Sequence, residues 1–302
     1  MAHQRVIGVD LGGTKILAGS IDHEGRVHER NEVRTPTSSQ ADLLEGLAAA
    51  IEQLVGGGID ALGVGIPSVI DRTSGRALGS NNIPLEDIAL GDVLSERFGV
   101  PAALENDGNA AALAEWRLGA GRGAETMVML TLGTGVGGGL VLDGALYRGW
   151  AELGHVVVIA DGPPCQGNCT GRGHLEIVAS GNAADRAAEE LWGAGANAEL
   201  LVERALEGAG DAVGALAGIG HLLGVGIGSF VNIFGPELVV IGGGFGIAAG
   251  EFLFPSALEA ARRETTVEAA RASLRIVEAA LGTDAGLVGA GLVALEALAG
   301  ER

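Results

Sequence analysis

The sequence predicts an α/β protein of two lobes, each built around a largely parallel sheet. Three features predict it. Short apolar runs alternate with segments of helical periodicity along the 302 residues, the pattern of parallel strands joined by helices. A strand, a glycine turn and a returning strand open the chain, and the same device comes back near residue 126. Hydrophobic residues make up 47% of the chain without an uninterrupted apolar run of about 18 residues, so the expectation is a buried core and no membrane-spanning helix. The length suffices for two packed lobes.

The elements follow in order. Residues 5–11 read as a buried strand, Gly12-Gly13-Thr14 as a turn and residues 16–22 as the returning strand. Apolar positions at helical spacing run from Ala41 to Val55 and stop at Gly56-Gly57-Gly58. Ala61 to Ile66 reads as a parallel strand, Leu90 to Phe98 as a helix, Ala102 to Glu105 as a strand and Asn109 to Leu118 as an Ala-rich helix. In the second half, residues 126–132 read as a strand, 133–139 as a glycine turn and 140–143 as a returning strand. A long apolar helix over about 212–234, a strand over 238–241, the triplet Gly242-Gly243-Gly244 and a last helix over about 285–298 complete the chain. The expected division is a small lobe over 1–118, with the last helix (about 285–302) packing back on it, and a larger lobe over 119–284.

Charge narrows the function classes. Nineteen Lys and Arg against 38 Asp and Glu give a net charge of −19. Such a surface repels phosphate backbones and anionic lipid, so neither nucleic acid nor membrane is an expected partner. The sequence runs from Met1 almost directly into strand-like residues, so no signal peptide is expected and the expected location is the cytoplasm.

The 53 glycines cluster in turns beside strands, where successive backbone N–H groups converge on one point and can hold an anion. A tight turn alone needs no ligand, but three such clusters in one chain favour phosphate. Two other readings fail on context. Lys15, the only lysine, follows Thr14 and precedes Ile16, so no G-x-x-x-x-G-K-[ST] loop exists. Gly133-Thr134-Gly135-Val136-Gly137-Gly138 satisfies G-x-G-x-x-G, but a strand follows where a dinucleotide site requires a helix.

Val9-Asp10-Leu11-Gly12-Gly13-Thr14-Lys15 resembles the first phosphate motif of the superfamily that joins sugar kinases, heat-shock chaperone ATPases and actin. Residues 131–139 resemble its second phosphate motif, and Val240-Ile241-Gly242-Gly243-Gly244 its adenosine-side motif. Order and spacing are similar to the ROK family over essentially the whole chain, and most like its glucokinases. The resemblance implies a two-lobed actin-like ATPase fold with a ribonuclease H-like core in each lobe. It further implies ATP, Mg²⁺ and a hexose as ligands, bound in a cleft whose closure excludes water. It also implies assembly as a homodimer or homotetramer. ROK repressors carry a DNA-binding module ahead of the core; this sequence starts at the first phosphate motif, which favours a kinase.

Site residues follow from the same resemblance. Asp107, in Glu105-Asn106-Asp107, stands where the family has its catalytic base, and Asn106 is placed to bond sugar hydroxyls. By itself an Asn-Asp pair between strand and helix is a helix cap. Asp10 is the implied Mg²⁺ ligand. Gly12, Gly13, Thr14, Lys15, Gly133, Thr134, Gly135 and Gly242 to Gly244 are the implied ATP contacts. Glu152, His155 and Glu176 match the sugar-hydroxyl ligands, and Asn82 matches a sugar-side Asn-Ile-Pro turn or is simply a turn asparagine. Ser68 replaces a glycine usual in the family near the sugar, which opens the sugar preference.

Cys165 and Cys169 admit three readings: a disulfide, two plain thiols, or half of a tetrahedral zinc site with His155 and His174. The family pattern is a His plus C-x-C-G-x-x-G-C-x-E. This chain departs twice, with three residues between its cysteines and His174 where a third cysteine is expected. The resemblance implies structural zinc on His155, Cys165, Cys169 and His174, with His155 shared between metal and sugar. Open alternatives are a kinase for mannose, fructose or an N-acetylhexosamine, polyphosphate as donor, a non-catalytic sugar sensor, and another superfamily member such as an acetate-type kinase or a chaperone ATPase.

Overall fold

The computed structural model describes residues 4–80 and 83–300. The chain folds as two units, residues 1–114 with 284–302 and residues 115–283.

The first unit opens with β1 (Val6–Leu11), β2 (Lys15–Ile21) and β3 (Val27–Arg34), followed by α1 (Gln40–Glu52) and β4 (Ala61–Ile66). Three short strands come next, β5 (Ile70–Asp71), β6 (Arg76–Gly79) and β7 (Glu86–Ile88), then α2 (Leu90–Phe98), β8 (Ala102–Asn106) and α3 (Asp107–Leu118), of which residues 107–114 belong to this unit. The main sheet has the order β3-β2-β1-β4-β8. β1 pairs antiparallel with β2 and parallel with β4, which pairs parallel with β8. That order, with three antiparallel strands leading into parallel ones, is a ribonuclease H-like core. Strands β5, β6 and β7 form a separate small sheet.

β1 and β4 are buried along nearly their whole length because helices cover both faces of the sheet. Leu43, Leu47 and Ile51 of α1 and Leu90 and Leu94 of α2 join Ile7, Val9, Leu62 and Val64 in one core. On the opposite face the C-terminal helix (Ala285–Ala299) brings Leu287 and Ala294 onto Val6, Leu17 and Ile21. That helix comes so close that a Cβ on Gly63 of β4 would lie 1.8 Å from the Ala290 carbonyl oxygen. Gly63→Ala is therefore expected to destabilise the protein by about 3 kcal/mol, because neither backbone can retreat without opening the sheet. The denaturant midpoint measures it, with Gly56→Ala, whose Cβ would meet nothing within 4 Å, as an unaffected control.

The second unit repeats the plan. β9 (Met127–Leu132), β10 (Val136–Leu142) and β11 (Ala145–Leu146) form its antiparallel part. The helices are α4 (Leu175–Ala179), α5 (Gly181–Trp192), α6 (Ala198–Leu206) and α7 (Gly210–Phe234), then β12 (Leu238–Gly242), α8 (Gly244–Ala248), α9 (Gly250–Glu264), α10 (Glu268–Ser273) and β13 (Ile276–Glu278). The sheet order β11-β10-β9-β12-β13 matches that of the first unit position for position, with β9 again between an antiparallel and a parallel neighbour. By length and composition alone, α7 and the segment Gly282–Ala299 that contains the C-terminal helix would suffice to cross a membrane, though about half of each apolar stretch is buried inside the protein. Polar residues break the apolar run in both, which hides their length from a reading of uninterrupted runs. Leu216, Leu223, Ile227 and Phe230 of α7 are buried in the core of the second unit with Leu253 and Ala257 of α9.

The expected glycine turn over 133–139 is corrected to a turn of three residues. β10 begins at Val136, and Gly137, Gly138 and Gly139 pair with Thr131, Leu130 and Met129. Gly138 is glycine for packing: a Cβ there would lie 2.3 Å from the Met129 carbonyl oxygen and 3.0 Å from Leu153 Cδ1. Likewise Gly242 closes β12, and only Gly243, at φ +82°, makes the bend before α8.

Candidate active site and metal centre

In the first unit, Asp10 is the fifth residue of β1, paired with Leu17 on one side and Gly65 on the other. Its carboxylate lies against Gly286, where a Cβ would come within 2.6 Å of Oδ2. Burial pushes its pKa up to about 6, and the positive charge of Lys15 pulls the other way. The Gly12-Gly13-Thr14 turn is closed by the Gly12 amide donating to the Lys15 carbonyl at 3.0 Å. Thr35 holds it from β3's end, its amide donating to the Thr14 carbonyl at 3.0 Å and its hydroxyl to the Gly12 carbonyl at 2.7 Å. Lys15, expected at phosphate, is paired with Glu32 on the neighbouring strand at 2.9 Å.

Asp107 is the first residue of α3, directly after β8. The helix therefore begins two residues earlier than the sequence predicts. Asn106 caps it: its Oδ1 accepts the Asn109 amide at 3.2 Å, three residues along. Capping thus falls to Asn106, while the Asp107 carboxylate accepts the Gly108 amide at 2.8 Å and stays half-buried at the strand–helix junction. Asn82 lies outside the described residues.

In the second unit, Gly133-Thr134-Gly135 links β9 to β10 and is held from outside by three bonds. The Gly181 amide, at the start of α5, donates to the Gly133 carbonyl at 2.7 Å. Gln166 Nε2 donates to the Thr134 carbonyl at 3.3 Å, and Glu176 Oε2 accepts the Val136 amide at 3.1 Å. Gly135 makes room for this, since a Cβ there would lie 2.1 Å from the Glu176 carboxylate. Glu176 accordingly sits between the glycine turn and the cysteine loop, its other oxygen 3.9 Å from Cys165 Sγ. Glu152 is exposed and precedes the short 3-10 turn Leu153–His155 that carries His155.

The four expected zinc ligands are together: the ligand atoms of His155, Cys165, Cys169 and His174 all lie within 4.8 Å of one another. The two cysteines are free thiols, so the disulfide reading falls. His155 Nδ1 is 3.1 Å from His174 Nδ1, Cys165 Sγ is 3.8 Å from His155 Nδ1, and Cys169 Sγ is 3.5 Å from His174 Nδ1. Tetrahedral zinc with ordinary Zn–N and Zn–S lengths needs edges of about 3.3 Å between two nitrogens and about 3.6 Å between nitrogen and sulfur. The residues fit that ion. Backbone bonds shape the loop around them: the Cys165 amide donates to the Gly171 carbonyl at 2.9 Å, and the Gly171 amide points at Cys169 Sγ at 3.4 Å. Burial pushes the Cys165 thiol up to about 11, so a bound cation is what would draw out its proton.

Gln166 was not singled out by sequence reasoning. The three residues between Cys165 and Cys169 give it room to reach the Thr134 carbonyl while Asn182 Nδ2 donates to its Oε1 at 2.8 Å. The unusual cysteine spacing was the available signal.

The ROK family model matches residues 6–297. A glucokinase of Thermotoga maritima is 36% identical, the match covering 99% of this chain and all of the relative. A ROK glucokinase of Streptomyces griseus, solved with glucose and AMPPNP, superposes with a TM-score of 0.86 at 33% identity, covering 97% of this chain and 99% of that one. A ROK hexokinase of Thermus thermophilus gives a TM-score of 0.83 at 36% identity, covering 98% and 100%.

Proposed function

The chain belongs to the ROK family, and from that premise we propose that it is an ATP-dependent hexose kinase that phosphorylates glucose at its 6-hydroxyl. The observation that carries the reading is the β8–α3 junction. Asn106 takes the capping role there, so the Asp107 carboxylate stands at the strand–helix junction without serving as the cap. In this reading Asp107 accepts the hydroxyl proton while the sugar oxygen bonds to the γ-phosphorus and the bond to ADP breaks. Asn106, Asn82, Glu152, His155 and Glu176 orient the sugar. His155 uses Nδ1 in the metal cluster, which leaves its other ring nitrogen for a hydroxyl. Backbone amides of Gly13, Thr14, Thr134 and Gly135 hold phosphate, while the amides of Gly12 and Gly133 close the two turns by donating to the Lys15 and Gly135 carbonyls; Lys15 stands at the edge and Gly242, Gly243 and Gly244 on the adenosine side.

Asp10 would hold Mg²⁺, which neutralises charge on the phosphates when bound. His155, Cys165, Cys169 and His174 would hold a structural zinc, fixing the loop that carries His155 and precedes Glu176. Cytoplasmic location and a homodimer or homotetramer complete the reading, and light scattering on the purified protein measures the assembly. The testing experiment is ADP release with Mg-ATP across glucose, mannose, fructose, N-acetylglucosamine and N-acetylmannosamine. Glucose is expected to give the highest kcat/KM. Another preferred sugar corrects the substrate, and no turnover with any of them overturns the kinase reading.

A further inference from the structure

Glu105 is 1% exposed, at the penultimate position of β8, and is the residue before the Asn106-Asp107 pair. A carboxylate taken out of water needs charge and hydrogen bonds in return. It receives both. Its Oε1 accepts the Asn106 amide at 2.9 Å and Asn109 Nδ2 at 3.1 Å, and it is ion-paired with the Arg72 guanidinium.

Arg72 comes from elsewhere in the first unit, the turn between β5 and β6. That turn is internally braced, with Asp71 Oδ1 accepting the Thr73 amide at 3.0 Å and the Gly75 amide donating to the Asp71 carbonyl at 2.7 Å. A second tie runs beside the ion pair. Asn106 Nδ2 lies 3.5 Å from the Ser68 carbonyl, and the Ser68 hydroxyl donates to the Gly79 carbonyl at 2.6 Å. Beyond β6, the Ser80 amide donates to the Leu85 carbonyl at 3.1 Å. The small sheet is thus fastened to the junction that begins α3, and Arg72 supplies the fastening charge.

We propose that Arg72 is a positioning residue for phosphoryl transfer: through Glu105 it locks the β5–β7 sheet to the β8–α3 junction and so fixes the Asp107 carboxylate for the acceptor hydroxyl. Arg72 acts through Glu105 and needs no contact with the sugar. The inference rests on the hexose-kinase reading, because only an acceptor hydroxyl gives the lock a purpose.

The test is steady-state kinetics of the full chain carrying Arg72→Met, Arg72→Lys, or Arg72→Met with Glu105→Gln. Arg72→Met is expected to lower kcat/KM for the hexose by about 100-fold, the scale of a misplacement of about 1 Å. AMPPNP binding by calorimetry should stay within about twofold, because the lock does not reach the glycine turns, and Arg72→Lys should recover part of the loss by restoring the charge. In the double variant the buried pair becomes neutral, so the melting temperature should return toward wild type while kcat/KM stays low. Wild-type hexose kinetics in Arg72→Met overturn the proposal. So does recovery of kcat/KM together with melting temperature in the double variant, which would make the pair purely structural. If the wild-type chain turns over no sugar, the kinase reading fails by itself. The readout then becomes the glucose dissociation constant: a rise of about tenfold or more in Arg72→Met supports the lock, and an unchanged value overturns it.

Discussion

Asp107→Asn is expected to lower kcat by about 1,000-fold while the hexose dissociation constant stays within about threefold, since a positioned general base contributes about 100- to 10,000-fold. Asparagine has the size and shape of aspartate, and its side-chain oxygen can still accept the Gly108 amide that Asp107 accepts at 2.8 Å. The cap is left alone, because the bond to the Asn109 amide comes from Asn106. The substitution therefore removes the proton acceptor without a reason for the helix to shift. What it cannot supply is a site for the hydroxyl proton, so the sugar oxygen must attack while still carrying it. Single-turnover ADP formation measures the chemical step directly, and sugar calorimetry confirms that the site is intact. A kcat within about tenfold of wild type would remove Asp107 from the role of base.

The fold was legible where the local pattern and the tertiary environment agree. β1, β4 and β9 are buried on both faces, and their sequences read as continuous apolar runs. β3 was not found because Val27–Arg34 is mostly charged and polar. It is the edge of its sheet, where charges discourage pairing with other chains, and no apolar alternation marks such a strand. The run Gly137-Gly138-Gly139 was misread for the opposite reason. Glycine signals a turn locally, yet here Gly138 makes space for Met129 of the paired strand and for Leu153. The same distinction separates the parts of the candidate site. His155, Cys165, Cys169 and His174 stand out by rarity and spacing, and the structure brings their ligand atoms together. Arg72 and Gln166 carry no such mark, because their partners lie 33 residues away for Arg72 and 32 for Gln166.

Cys165→Ser with Cys169→Ser is expected to abolish metal binding, taking zinc from about one per chain to less than about one tenth, because two hydroxyls replace the two thiolates of the tetrahedral set. Elemental analysis of the purified protein reads this directly. The energetic consequence is smaller than for a zinc finger, since the second unit has its own core of α7, α9 and the β9–β12 strands to keep it folded. A loss of about 3 kcal/mol corresponds to a fall of about 10 °C in Tm for a unit of this size. The functional consequence should exceed the thermal one. Gln166 and Glu176 flank the cluster and hold Thr134 and Val136 at 3.3 and 3.1 Å, so an unanchored loop releases two of the bonds that shape the glycine turn. His155 loses its fixed ring at the same moment, because its Nδ1 faces the cluster. Both AMPPNP and hexose binding are therefore expected to weaken by about tenfold, the lower end of the effect of disturbing a metal ligand's supports. Chelation of the wild-type protein should reproduce the pattern, and zinc should reverse it in the wild type but not in the serine variant. Full zinc retention in that variant would overturn the ligand assignment; zinc loss with unchanged binding of both ligands would confine the ion to folding.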